Sequence, residues 1–89
     1  MHWDKQLAYR ISPKSGPLRA METLLDANHA LSHDLPPGAL SRDHWRAAGW
    51  RVVNAARTGD HLEVVMATEL IVTALVYEGW MTAGMVGRR

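Results

Sequence analysis

Apolar and polar side chains alternate between residues 3 and 11. Trp3, Leu7, Tyr9 and Ile11 fall on one side, and Asp4, Gln6, Ala8 and Arg10 on the other, with Lys5 the exception. A period of two with aromatic and β-branched members predicts a strand covered on one face. A run of turn formers follows, Ser12-Pro13-Lys14-Ser15-Gly16. Residues 17–21 admit two readings. Helix begins at Pro17, a residue suited to a first helical turn, or the segment pairs back as a second strand and helix begins near Thr23. The hairpin is preferred, because a lone strand leaves its backbone donors and acceptors without partners.

From Thr23 the period changes to that of a helix. Leu24, Ala27, Asn28, Leu31 and Leu35 share a face, and the prolines and glycine of residues 34–40, DLPPGAL, end the segment. Ser41 is the expected N-cap of a second helix, with Leu40 and Trp45 placed to form a hydrophobic staple. Trp45, Ala48, Gly49, Val52 and Ala56 recur at helical spacing up to Gly59, which suits a left-handed helix end. Asp60 and Glu63 are spaced as a capping box for a third helix, expected to run to Glu78 before Gly79. Its apolar positions cover almost the whole circumference, interrupted only by Glu63, Thr68, Glu69, Thr73 and Glu78. A helix apolar all round is buried on more than one side. Two helices and a hairpin are one cover for it; a second copy of the chain is another. The pattern predicts an α+β domain over residues 1–80, a β-hairpin packed against three α-helices, with 81–89 as a flexible tail.

Composition narrows what such a domain does. A chain of 89 residues makes one domain, and one this small leaves much of its surface wet. The usual supports are disulfides, a metal or a partner chain. With no cysteine, disulfides and thiolate zinc sites drop out. A net charge of +1 argues against a nucleic-acid partner, since domains that grip phosphate carry a basic excess. No apolar leader opens the chain, and its longest uncharged run in the third helix, 70–77, is far short of a membrane span. The expectation is a cytoplasmic protein with no membrane contact and no cofactor.

Three groups of residues carry candidate chemistry. HALSH, residues 29–33, has the outline of the metalloprotease signature H-E-x-x-H with Ala30 where the general base belongs. Asp26, His29 and His33 share a helix side and are the candidate metal ligands. A convex wet face supplies neither a further fixed ligand nor an outer shell of support. Trp50 projects about 140° from Trp45 on the second helix, among Arg42, Arg46 and Arg57. These four, with the Arg88-Arg89 tail, form a candidate nucleic-acid stripe. Trp and Arg are equally the residues of protein interfaces. Trp50 with Leu70, Val72, Val76 and Tyr77 of the third helix is therefore the candidate interface. There is no nucleophile motif, phosphate loop or dinucleotide fingerprint, so nothing points to an enzyme.

The segments LRAMETLLDANHAL, DLPPGA, HWRAAGWRVVNAARTGD and ATELIVTALVYEGW resemble small bacterial proteins of the domain-of-unknown-function family numbered 982. The resemblance covers most of residues 7–80. That family carries a Trp-Pro pair where this chain has Leu35-Pro36, and many members have a middle-helix cysteine that is absent here. The resemblance implies a compact α+β domain with no assigned activity, so no functional residue carries over. The leading expectation is a small non-enzymatic interaction or regulatory module, partnered by itself as a homodimer or by another protein.

Overall fold

The computed structural model describes residues 1–82. Strands β1 (Gln6–Ile11) and β2 (Met21–Thr23) form an antiparallel pair. Helix α1 (Leu24–His29) runs on into a π-helical turn, Ala30–Asp34. A 3₁₀ turn (Ala39–Ser41) leads into α2 (Asp43–Thr58), and α3 (His61–Glu78) completes the fold. The expected hairpin and three helices are present, in the expected order.

The hairpin differs in its second arm. Residues 17–20 are not a strand, and pairing starts at Met21, opposite Ile11, and reaches Gln6–Thr23 through an irregular register. Two features hold 17–20 away from β1. Pro17 has no N–H to donate. Arg19 is tied elsewhere: its backbone N–H and its Nε both donate to Asp34 Oδ2, at 3.1 and 2.7 Å, and its Nη2 donates to Oδ1 at 2.7 Å. Pairing then extends beyond β2, as the N–H groups of Leu24 and Leu25 donate to the carbonyls of Lys5 and Trp3. Thr23 caps α1 reciprocally with Asp26, whose carboxylate accepts the N–H groups of Glu22 and Thr23.

Ser41 does not cap α2. It lies in the 3₁₀ turn, where its hydroxyl donates to the Gly38 carbonyl, and Arg42 occupies the cap position without a side-chain bond to the helix amides. Leu40 turns to the surface, 46 % exposed, while Trp45 is wholly buried. Gly59 ends α2 in the left-handed conformation, and Asp60 accepts the N–H of Glu63 to start α3. At the other end of α3, Gly79 N–H donates to Val76 and Trp80 N–H to Leu75. This pair of bonds closes the helix with a Schellman turn.

Helix α3 is the centre of the fold. Val64, Ala67, Ile71, Val72, Ala74 and Leu75 are buried, with α2 on one side and β1 on another. The chain therefore supplies most of the cover that the apolar circumference of α3 demands. Thr68 also points inward. Its hydroxyl accepts the Ala8 N–H of β1 at 3.1 Å and donates to the Val64 carbonyl at 2.8 Å. The strand is thus pinned to the helix at a polar point inside an apolar contact. Tyr9, the next residue along, donates its hydroxyl to Glu69 at 2.9 Å. Burial, then the carboxylate it faces, push the Tyr9 phenol up to about 12.

The turn after β1 is held by a ring. Trp80 lies against Gly16, where an added Cβ would come within 2.5 Å of the indole. The Trp80 carbonyl accepts the N–H groups of Lys14 and Ser15. Met81, expected in the tail, is buried beside the core, and residues 83–89 of that tail lie outside the described residues. Among the described residues no helix is long and apolar enough to cross a membrane.

Thr68→Val keeps the shape and removes the hydroxyl, leaving the Ala8 N–H without its partner. Urea unfolding is expected to show a loss of about 1–3 kcal/mol, and amide exchange at Ala8 is expected to accelerate.

Candidate functional site

Helix α2 divides cleanly into two faces. Trp45, Ala48, Val52, Ala55 and Ala56 are buried against the rest of the fold. Asp43, Arg46, Ala47, Trp50, Val53 and Arg57 form the exposed stripe opposite. Their spacing of three, four and seven residues is that of a contact face. Trp50 stands on this stripe with 63 % of its surface exposed, and the Arg51 guanidinium lies 5.5 Å from its ring centroid.

A hollow lies on each side of Trp50. The first, about 430 Å³, separates α2 from the π-turn after α1 and is lined by Leu31, Leu40, Gly49, Val52, Val53 and Trp50 itself. Apart from its chain neighbours and the adjoining α2 backbone, no described atom lies within 4 Å of where a Cβ on Gly49 would be. The second hollow, about 460 Å³, lies towards α3 and is more polar, with Asp43, Arg46, Arg51 and Leu70 on its walls. Leu40 and Val53, at 46 % and 45 % exposed, extend the apolar surface around the first. Exposed apolar side chains scattered singly need no explanation, but a contiguous group around a hollow marks a contact surface.

The structure separates the residues expected at an interface. Trp50 and Leu70 share the second hollow. Tyr77 is 78 % exposed further along α3, its ring 4.5 Å from that of His44. Val76 is half-buried against the core. Val72 is corrected: it is buried at 6 % and cannot meet a partner. One turn of α3 carries it beneath the cover that the sequence pattern alone could not reveal.

The arginine stripe is likewise divided. Arg42 turns towards α3 and donates to Glu78, Arg46 pairs with Asp43, Arg51 with Glu63, and Arg57 donates to Asn54. Only Arg46 lines the Trp50 hollows among Arg42, Arg46 and Arg57. Arg88 and Arg89 lie outside the described residues. Of the metal candidates, Asp26 is engaged in the α1 cap, which holds its carboxyl below the usual range through the Glu22 N–H. His33 Nδ1 meets the His29 carbonyl at 3.2 Å, and the two rings sit edge to face at 5.8 Å. Among the described residues no three His, Asp or Glu side chains are grouped to hold a metal ion.

A cluster at Glu78 escaped sequence reading. Its Oε2 accepts from Arg42 Nη1 at 2.6 Å, His44 Nε2 at 2.8 Å and Trp45 Nε1 at 2.8 Å. An ionised carboxylate only accepts, so His44 Nε2 carries the hydrogen. One signal was present: an acidic side chain in the last turn opposes the helix dipole, and needs a cation from elsewhere. The His44 bond, then those of Trp45 and Arg42, hold the Glu78 carboxyl down to about 2. Arg19 does the same for Asp34, also to about 2. With three side chains donating to one oxygen, the cluster is a clamp between helices.

No family model, curated protein or solved structure matches this chain.

Both depressed carboxyls are ionised more readily in the folded chain than in the unfolded one. The stability they supply is present in full above their unfolded values, 4.5 for Glu78 and 3.8 for Asp34, and fades as pH falls towards about 2. Urea midpoints are expected to drop through that window. Glu78→Gln is expected to cost about 2 kcal/mol at neutral pH and to flatten the acid side of the profile. A profile as steep as that of the parent chain would show that Glu78 is not the group responsible.

Proposed function

We propose that the protein is a small non-enzymatic interaction module that works as a homodimer, with the outer face of α2 around Trp50 as its docking surface. The observation that carries this reading is the exposure of Trp50 between two hollows, on a helix whose opposite face is fully packed. A large aromatic with an apolar hollow beside it is the usual centre of a protein contact. The arginines nearby engage Asp43, Glu63 and Asn54, which leaves less charge for phosphate and favours a protein partner over nucleic acid.

The sequence pattern pointed to α3 together with Trp50 as the dimer surface. The cover that β1 and α2 already give most of α3 favours the Trp50 part of that surface. A cytoplasmic setting belongs to the same proposal, supported by the absence of cysteine. So does kinship with the family numbered 982, supported by the Leu, Ala and Trp spacings together with the hairpin and three helices.

Sedimentation equilibrium at tens of micromolar, within the range of protein–protein affinities, is expected to give the mass of a dimer. Trp50→Ala is expected to weaken association by about thirtyfold, the loss of one central anchor worth about 2 kcal/mol. Its far-ultraviolet circular dichroism is expected to stay that of the parent chain, since Trp50 packs on the surface. A parent chain that remains monomeric at these concentrations would overturn the reading.

A further inference from the structure

We propose that two copies of the chain pack α2 against α2 in antiparallel orientation, about a two-fold axis beside Trp50. The inference rests on the homodimer reading and specifies its geometry. Its basis is the order of side chains along the exposed stripe, Asp43, Arg46, Ala47, Trp50, Val53, Arg57. Asp43 and Arg57 each stand seven residues from Trp50, about 10.5 Å along the axis at 1.5 Å per residue. An antiparallel two-fold centred on Trp50 therefore sets Asp43 of each copy opposite Arg57 of the other. The same operation sets Ala47 opposite Val53, small against medium, on both sides of the axis.

A parallel arrangement does the reverse. It places Asp43 against Asp43 and Arg57 against Arg57, and aligns the two helix dipoles. Charge thus selects one orientation, which is the chief use of charged residues at a contact. In the single chain both charges are held lightly. Asp43 is 95 % exposed in its pair with Arg46, and among the described residues Arg57 is bonded only to the Asn54 amide oxygen one turn away. Exposed pairs of this kind are worth little, so exchanging them for a pair across an interface loses little.

The shape agrees with the charge. Two indoles meeting at an axis must pass one another. The apolar hollow beside Gly49, with Leu31, Leu40 and Val53 on its walls, lies next to Trp50 on the same surface. Each Trp50 then enters the hollow of the other copy. Projection and recess lie side by side on one face, which a two-fold contact requires, because the same patch serves both partners.

Charge reversal tests the orientation. Asp43→Arg and Arg57→Asp are each expected to raise the dimer dissociation constant by about tenfold at low salt, and the double variant to return it to within about threefold of the parent value. Both reversals oppose the dipole of α2 itself, so the double variant would be the worst of the three if these charges served only their own helix. The absence of native cysteine gives a second reading. Mixed Ala47→Cys and Val53→Cys chains are expected to cross-link to each other under mild oxidation, and Ala47→Cys alone is expected not to. A parent dimer whose double variant is not rescued, or which links 47 to 47, would overturn the antiparallel geometry and leave the homodimer standing. A monomeric parent chain would remove both, and leave the Trp50 face to a different protein.

Discussion

The hydrogen bond from the Trp45 indole to Glu78 sets the rest of the structure. Trp45 is the largest side chain wholly enclosed by the fold, and an indole N–H buried without a partner is costly. The carboxylate of Glu78, at the far end of α3, supplies that partner at 2.8 Å. Arg42 and His44 reach the same oxygen. Three donors from the start of α2 thereby fasten it to the end of α3, and fix which face of α2 turns inward. Trp50 follows as a consequence: five residues on, about 140° around the helix, it has no place but the outside.

The Glu78 clamp also stands in for local capping. The 3₁₀ turn draws Ser41 away from the helix start, and Arg42 provides no side-chain cap. Glu78 adds negative charge at that end from another helix, beside that of Asp43, where it favours the positive end of α2. The mismatch on α3 is relieved by the same contact, since Glu78 opposes its own helix dipole and complements its neighbour's. Arg19 and Asp34 repeat the principle at the other side of the fold. Their bidentate pair ties the loop before β2 to the end of the π-turn. Thr68 repeats it again, satisfying a strand amide from within a helix. Cross-links of this kind suit a chain too short for a large core and without disulfides.

The elements themselves were readable wherever the cause was local. The alternation of Leu7, Tyr9 and Ile11 marked β1, Gly59 and Asp60 marked the break between α2 and α3, and Gly79 marked the end of α3. The second strand was misplaced because its position depends on Arg19 reaching Asp34, fifteen residues away. Ser41 was misread because a serine hydroxyl serves a turn as well as a cap, and only the path of the chain decides between them. The candidate site was half legible. Trp50 stood out by its angle from Trp45 and its arginine neighbours. Leu31 and Leu40 were counted as helix face and staple, and their meeting with Gly49 in one hollow depends on how α1 packs against α2.

Sequence by itself determined the inventory: one hairpin, three helices, the caps between α2 and α3 and at the end of α3, and a tryptophan on the second helix turned away from Trp45. Those follow from periodicity and backbone preference, which act over a few residues. Tertiary structure alone decided which apolar face was left over. The pattern made α3 the surface most in need of a partner, yet β1 and α2 cover most of it, and the exposed apolar group beside a hollow is on α2 around Trp50. Burial is shared among elements far apart in the chain. How much of a helix is wet is therefore a property of the packing, and periodicity records only how much of it is apolar.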